Sequence, residues 1–255
     1  MYAEERQQAI AALVAREGRA SVTGLARELD VTTETVRRDL SALERVGLVR
    51  RVHGGAVPAS SFTVLEAALG ERDVEQVERK DRIAGAALDL LPRTGGTLLF
   101  DAGSTTARLA ARLPEDRSYT AITHSVPIAA RLAPQPHIDL HLLPGHVRTA
   151  TQAAVGSATV EALRTLRADL AFLGTNGISV SHGLSTPDLD EAVTKRALVA
   201  SAHRIVVLAD STKIGEERMV QFAALEDVDV VVTDDGIRAA DRSAIEAAGV
   251  EVVVA

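Results

Sequence analysis

The sequence predicts an α/β protein in two parts: a small helical head that ends in a β-hairpin, then a body built on a mainly parallel sheet with helices on both faces. Three observations predict it. Residues 3–52 show three helix-period segments and then an extended stretch, closed by the pair Gly54-Gly55. From residue 97 onward, continuous runs rich in Val, Leu and Ile alternate with helix-like segments, as strands covered on both faces require. Charge is divided unevenly: residues 1–57 hold nine Lys and Arg against eight Asp and Glu, and the remainder nineteen against twenty-seven.

Composition excludes several classes. Of 255 residues, 46% are hydrophobic, enough for a sizeable core, so disorder is not expected. Cysteine is absent, which removes disulfides and thiolate metal sites and fits a reducing cytoplasm. The opening Met1-Tyr2-Ala3-Glu4-Glu5-Arg6 lacks the basic start and apolar run of a signal peptide, and no apolar stretch is long enough to cross a bilayer. A cytoplasmic protein with no membrane partner is expected.

In the head, residues 3–17 read as a helix with Ile10, Leu13 and Val14 on one side, ended by Gly18. Residues 22–29 form a second helix with Leu25, Ala26 and Leu29 inward, followed by the turn Asp30-Val31-Thr32. A third helix starts at Thr33 and aligns Val36, Leu40 and Leu43 at i, i+4 and i+7. Thr32 suits its N-cap, Glu34 the positive end of its dipole, and Gly47 its stop. Leu48 to Val52 reads as a strand and Gly54-Gly55 as a tight turn. This order is that of a winged helix-turn-helix. The apolar stripe of the third helix faces the core, which leaves Thr33, Thr35, Arg37 and Arg38 on its other faces. In such motifs the start of this helix enters the major groove, where hydroxyls reach phosphates or bases and arginine pairs with guanine or clamps phosphate. Net charge across 37–53 supports this, with five arginines and His53 against Asp39 and Glu44. A helical hairpin with a solvated basic face is the alternative.

Val31-Thr32-Thr33-Glu34-Thr35-Val36-Arg37-Arg38-Asp39-Leu40, followed by Leu48-Val49-Arg50-Arg51-Val52-His53-Gly54-Gly55-Ala56, resembles the DeoR family of bacterial repressors. The likeness implies double-stranded operator DNA as partner. It places Thr33, Thr35, Arg37 and Arg38 on the DNA-reading helix, with Thr32 at its start, and Arg50, Arg51 and His53 in the wing. Asp39 is expected to be structural, orienting a neighbouring arginine.

Pro58-Ala59-Ser60-Ser61 looks like a hinge, and 58–79 is expected as a linker carrying at most a short helix. The body is placed at 80–255, opening with a helix through Ile83, Ala87, Leu88 and Leu91. Strands are expected at Thr97–Phe100, Tyr119–Thr123, Ile138–Leu143, Leu170–Leu173, Ile205–Ala209, Val228–Thr233 and Val250–Val254. Helices are expected at 105–112, 126–132, 157–166, 189–202 and 238–248. Ligands in such sheets sit beyond the carboxyl ends of the strands. There the sequence places Asp101-Ala102-Gly103-Ser104-Thr105-Thr106, a candidate phosphate cradle opening a helix, though an ordinary capped turn reads the same way. Thr123-His124-Ser125, Gly174-Thr175-Asn176-Gly177, Glu191 with Lys195, and Asp210-Ser211-Thr212-Lys213 occupy equivalent places. Together they suggest one polar pocket with a cationic side.

These segments are also similar, in the same order, to the DeoR sensor domain, whose fold resembles ribose-5-phosphate isomerase and glucosamine-6-phosphate deaminase and whose usual effectors are sugar phosphates. That resemblance implies that Asp101, Gly103, Ser104, Thr105 and Thr106 line a phosphate end. It implies that Thr123, Ser125, Asn176, Gly177, Glu191, Lys195, Asp210 and Lys213 meet sugar or phosphate oxygens. His124 stands where the family has asparagine, and Pro144-Gly145 replaces a Gly-Gly pair. The Met1–Gln8 opening and Gly183-Leu184-Ser185-Thr186-Pro187 look like members linked to fructose use, which favours fructose 1-phosphate. The family habit also implies repression and a homo-oligomer, dimer or tetramer.

Two other readings fit parts of the sequence. An aldose–ketose isomerase could use Glu191 as base and Lys195 or Lys213 to steady an enediolate, but a fused DNA-binding head has no place in one. His137, His141 and His146 lie close in sequence, but 137–143 reads as a strand, where metal spacing for a helix does not apply. Neither cofactor nor metal is expected.

Overall fold

The computed structural model describes residues 3–17, 20–45, 48–52, 54–58 and 69–255, and the chain divides into two units, Met1–Leu65 and Glu66–Ala255. The first unit contains α1 (Ala3–Glu17), β1 (Ala20–Ser21), α2 (Val22–Glu28), α3 (Thr33–Arg45), β2 (Val49–Val52) and β3 (Gly55–Pro58). Its core is the predicted stripe set, with Ile10, Val14, Leu25, Val36, Leu40 and Leu43 all buried. Ser21 caps α2 by accepting from Gly24 N at 3.0 Å, and Thr32 Oγ1 accepts from Thr35 N at 3.2 Å to cap α3. Strand order is β1-β3-β2, all antiparallel. The glycine pair has two separate causes. Gly54 sits at φ +72° in the turn, and a Cβ on Gly55 would lie 2.1 Å from Ala20 O, so β3 reaches β1 only with glycine there. Gly18, Gly47, His53 and the hinge residues 59–61 lie outside the described residues.

The second unit opens with α4 (Leu69–Val74) and α5 (Val77–Ala87). The stretch 69–79, expected as linker, is therefore helical and packed on the body. Arg108 on the body donates to Asp73 Oδ1 at 3.0 Å, and Leu69 N donates to Ala150 O at 2.8 Å. The reason is compositional: the segment is charged, and its contacts are ion pairs and hydrogen bonds that hydrophobic periodicity does not register.

Then follow β4 (Gly96–Phe100), α6 (Ser104–Ala110), β5 (Tyr119–Thr123), α7 (Val126–Leu132), β6 (Ile138–Leu142), β7 (His146–Arg148) and β8 (Ala153–Val155). Next come α8 (Ser157–Arg164), β9 (Ala168–Leu173), β10 (Gly177–Ser179), β11 (Gly183–Thr186), α9 (Leu189–Ala200) and β12 (Ala202–Leu208). The chain ends with β13 (Val220–Ala223), β14 (Val230–Thr233), α10 (Ala239–Ala247) and β15 (Glu251–Val254). The seven expected strands form one sheet, in the order β15-β14-β12-β9-β4-β5-β6, and every pairing in it is parallel.

Side chains alternate between two cores. Leu98, Phe100, Leu170, Phe172 and Val206 face α5, α6 and α7, meeting Ile83, Leu109 and Ile128. Leu99, Ala171, Leu173, Ile205 and Val207 face α8, α9 and α10, meeting Leu163, Leu198 and Ile245. Burial on both sides is why the strands read as unbroken apolar runs. The short strands were not foreseen: a β7–β8 hairpin and a β10-β11-β13 sheet, each of three- or four-residue strands. Among the described residues, no helix is long and apolar enough to cross a membrane. From β4 the chain proceeds one way through β5 and β6, and from β9 the other way through β12, β14 and β15. The gap between the carboxyl ends of β4 and β9 is thus the topological switch point, where open parallel sheets bind ligands.

Candidate functional site

The face of α3 turned from the core carries Arg37 and Arg38, both exposed, with Thr33 and Thr35 half-buried beside them. Among the described residues, Arg37 has a loose ion contact to Glu34, at 3.4 Å between exposed groups. Thr35 Oγ1 lies 2.9 Å from Thr32 Oγ1, so these two hydroxyls hold the start of the helix as well as facing outward. Asp39 does orient an arginine, but a distant one: its buried carboxylate accepts from Arg6 Nε at 2.5 Å and from Gln7 Nε2 at 3.0 Å, tying α1 to α3. On β2, Arg51 donates to Ser41 Oγ at 2.8 Å, which lays the wing arginine along α3. The side chain of Arg50 and all of His53 lie outside the described residues.

At the switch point of the body, a cavity of about 340 Å³ opens. Its floor is an ion cluster. Asp101, 1% exposed, follows β4, and its carboxylate accepts from Lys195 Nζ of α9 and from Gly174 N after β9 at 2.9 Å. Lys195 Nζ also donates to Gly174 O at 2.9 Å, so one lysine joins the two strand ends that diverge here. His124 Nε2 lies 3.0 Å from Asp101 Oδ1, and Nδ1 donates to Ala154 O at 2.8 Å. Burial alone would raise the carboxyl pKa of Asp101. The Lys195 charge and the His124 contact outweigh it and hold that pKa down to about 2.

Most predicted residues meet in this cavity. Gly103 to Thr106 form one wall, Asn176, Glu191 and Lys195 another, and Asp210 and Lys213 a third. Asp101 itself is not on the lining, and its carboxylate fixes Lys195 and the loop at Gly174, which are. Gly177 is also off the lining; a Cβ there would lie 2.4 Å from Glu216 O. Thr123 and Ser125 are buried outside the cavity: Thr123 Oγ1 donates to Phe100 O at 2.8 Å, and Ser125 Oγ accepts from Ile128 N as the N-cap of α7. These two hydroxyls serve the fold, which their place after a strand could not distinguish from a ligand role. Glu191 Oε1 pairs at 2.5 Å with Arg148 of β7, which also meets Asp188 at 3.0 Å.

Pro144 and Gly145 are away from the cavity. Pro144 O accepts from Thr159 Oγ1 at 2.6 Å, and a Cβ on Gly145 would lie 2.2 Å from Thr159 Oγ1. His141 is exposed beside Asp139 and His146 lies on a different strand; among the described residues no group of three or more metal-ligating side chains gathers.

Sequence reasoning missed one wall entirely. Arg72, Glu75 and Gln76 from the α4–α5 corner, Lys80 of α5, and Thr151 in the β7–β8 turn all line the cavity. One signal was present for Lys80. It precedes Ile83, Ala84 and Ala87 by one and two turns, a charge set on the stripe that α5 buries. Burial lowers the pKa of Lys80, and the nearby Lys213 pushes in the same direction against Asp210.

A helix-turn-helix unit followed by a parallel-sheet body with a ligand-sized cavity at its switch point defines a one-chain, ligand-responsive transcriptional regulator. The chain belongs to the DeoR family: it matches the DeoR-like helix-turn-helix domain over residues 6–62 and the DeoR C-terminal sensor domain over residues 75–235. It is 39% identical to the HTH-type transcriptional regulator GlpR of Haloferax volcanii, over 99% of this chain and 98% of that protein. It is 34% identical to the regulator FruR of Bacillus subtilis, over 92% of each, and 31% identical to the glycerol-3-phosphate regulon repressor of Escherichia coli, again over 92% of each. These relatives are regulators, and so is this chain. Among solved structures, ribose 5-phosphate isomerase A of Methanocaldococcus jannaschii is similar over 55% of each chain, at 18% identity and a TM-score of 0.40.

Proposed function

We propose that the protein represses a sugar-catabolism operon and is released from operator DNA by a phosphorylated sugar, with fructose 1-phosphate as the favoured effector. DNA is read by Thr32, Thr33, Thr35, Arg37 and Arg38 in the major groove, with Arg50, Arg51 and His53 on the wing. The observation that carries the effector reading is the cavity itself. Hydroxyl and amide side chains line it together with Lys80, Lys195 and Lys213, which suits a polyol bearing a phosphate. Fructose is favoured by the likeness to members linked to its use and by the relative FruR. Induction requires that the effector bind the DNA-free arrangement more tightly than the DNA-bound one. Two heads are needed to read two half-sites, so the active form is a homo-oligomer.

The test is fluorescence anisotropy of the full chain on DNA from upstream of its own and neighbouring genes, with fructose 1-phosphate, fructose 6-phosphate, glycerol 3-phosphate and free fructose. Release by fructose 1-phosphate, and by no other compound, is expected. Release by another phosphate would replace the effector and keep the mechanism. Specific binding that no phosphate disturbs would remove the effector reading.

A further inference from the structure

The seven-stranded sheet ends at β6, and among the described residues no strand pairs with its outer side. The parallel ladder with β5 shows which backbone groups lie there. Tyr119 N donates to His137 O at 3.1 Å and Leu143 N to Thr123 O at 2.9 Å, so the alternation turns Asp139 and His141 toward β5. The N–H and C=O groups of Leu140 and Leu142, with Ile138 O, point the other way. An open edge is a template for another strand, and proteins guard it with lysine, proline or a bulge. Residues 137–143 hold no Lys, Arg or Pro, and the register with β5 is unbroken.

The side chains suit a copy of the same strand. Asp139 and His141 share one face, both exposed, and Ile138, Leu140 and Leu142 share the other. An antiparallel pairing about a twofold axis at Leu140 sets Asp139 opposite the partner's His141, and Ile138 opposite the partner's Leu142. Each carboxylate then meets an imidazole that donates to it. The backbone agrees with this register. The two Leu140 residues exchange both of their free bonds, and Leu142 N–H reaches the partner's Ile138 O. Ile138 N is already given to Gln135 O at 3.1 Å, so the ladder ends there. A five-residue ladder is small for a stable interface, and Leu142 and Val147, 55% and 44% exposed, supply apolar surface next to it in the chain. The opposite edge lacks the pattern: twofold pairing about the middle of β15 sets Glu251 against Val254, and Glu251 already faces Arg204 at 3.6 Å.

We propose that β6 is the seam of a homodimer, joined antiparallel about Leu140 to a second copy of this chain, with Asp139 and His141 setting the register. This rests on the homo-oligomer reading above and deepens it by naming the surface. A twofold pairing is closed, so it uses the same edge of both copies and leaves none on that side to recruit a third. The two sheets become one.

The chain has no cysteine, so single introduced thiols report the seam without background. In this register residues 139 and 141 face each other at a non-hydrogen-bonded position, with Cα atoms about 4.5 Å apart and within disulfide reach. Like residues are diagonal, about 7–8 Å apart and beyond it. Full chains carrying Asp139→Cys and His141→Cys, distinguished by tags, are coexpressed and oxidised. A covalent dimer with one of each is expected, and roughly tenfold less linkage in either variant alone. Equal linkage within Asp139→Cys alone would overturn the register, and an oligomer that links in no sample would overturn the seam.

Two further variants are followed by sedimentation. Leu140→Pro removes the central donor without touching the β5 ladder, and should raise the dimer dissociation constant on the order of 10- to 100-fold. His141→Asp sets acid against acid and should weaken the dimer roughly fivefold; adding Asp139→His restores the pairing with positions exchanged and should recover most of that loss. Unchanged association in Leu140→Pro would overturn the seam. If the unaltered chain is a monomer, the homo-oligomer reading itself fails, which is a different result from an oligomer that does not link.

Discussion

The two units deploy charge in opposite ways. On α3 the cations are exposed and weakly held: the Arg37 side chain is 57% exposed and its contact with Glu34 is at 3.4 Å. In the body the central cation is enclosed: the Lys195 side chain is 6% exposed and bound to Asp101 and Gly174. Exposed arginines cost little to keep unpaired and are free to meet a polyanion, whose counterions their binding releases. A buried lysine must be fully satisfied, and what it gains is a fixed position. The head is therefore built to receive a large charged partner from outside, and the body to hold a small one in a set geometry.

Breaking the buried pair should give the largest effect. Asp101→Asn leaves Lys195 enclosed without a counter-charge, and a loss of about 3–5 kcal/mol is expected for the body in urea unfolding followed by circular dichroism. Lys195→Met added to it should recover part of that loss. The pair also sets an acid limit. The Asp101 pKa is lowered on folding, so its contribution is present above the ordinary value of 3.8 and is lost as pH falls toward about 2. A shift of that size is worth about 2 kcal/mol. Stability between pH 5 and pH 2 should therefore fall less steeply in Asp101→Asn; an unchanged slope would mean that the carboxylate is not held by its partners.

The same contrast explains what the sequence disclosed. The surface proposed to read DNA is local: one helix of 13 residues carries both the buried stripe and the outward arginines, so periodicity alone separates them. The parallel sheet was equally legible, because burial on both faces writes itself as apolar runs. The cavity was legible where its lining follows a strand and, at Glu191 and Lys195 of α9, where the family resemblance marks it. Gly103 to Thr106, Asn176 and Lys213 were found that way. Lys80 and Thr151 were not, because they reach the cavity from a helix and a hairpin turn whose placement depends on contacts such as Leu69 N to Ala150 O. Thr123 and Ser125 show the converse error. They follow a strand as the ligand-facing segments do, yet their hydroxyls bond to Phe100 O and Ile128 N.

Next in size is the loss of the exposed arginines. Arg37→Ala with Arg38→Ala should weaken operator binding on the order of 100-fold or more and flatten the salt dependence by up to ~2 in log–log slope. Effector affinity should not change, and a change would mean that the arginines act through the fold. Lys213→Ala is the mirror experiment. Operator binding should be kept, while the effector concentration for half-release should rise roughly tenfold, as for one lost charged hydrogen bond.

The smallest effect tests the boundary between fold and site. Ser125→Ala removes the N-cap of α7, whose hydroxyl accepts from Ile128 N at 3.4 Å, and should lower body stability by about 0.5–1 kcal/mol. Effector affinity measured on the same protein should stay within twofold, because Ser125 does not line the cavity. Lys213→Ala should show the reverse pattern, affinity lost and stability kept. If Ser125→Ala instead weakens the effector and spares stability, the α7 N-terminus contacts the ligand, and the cavity extends past Asp101 to the β5 side of the switch point.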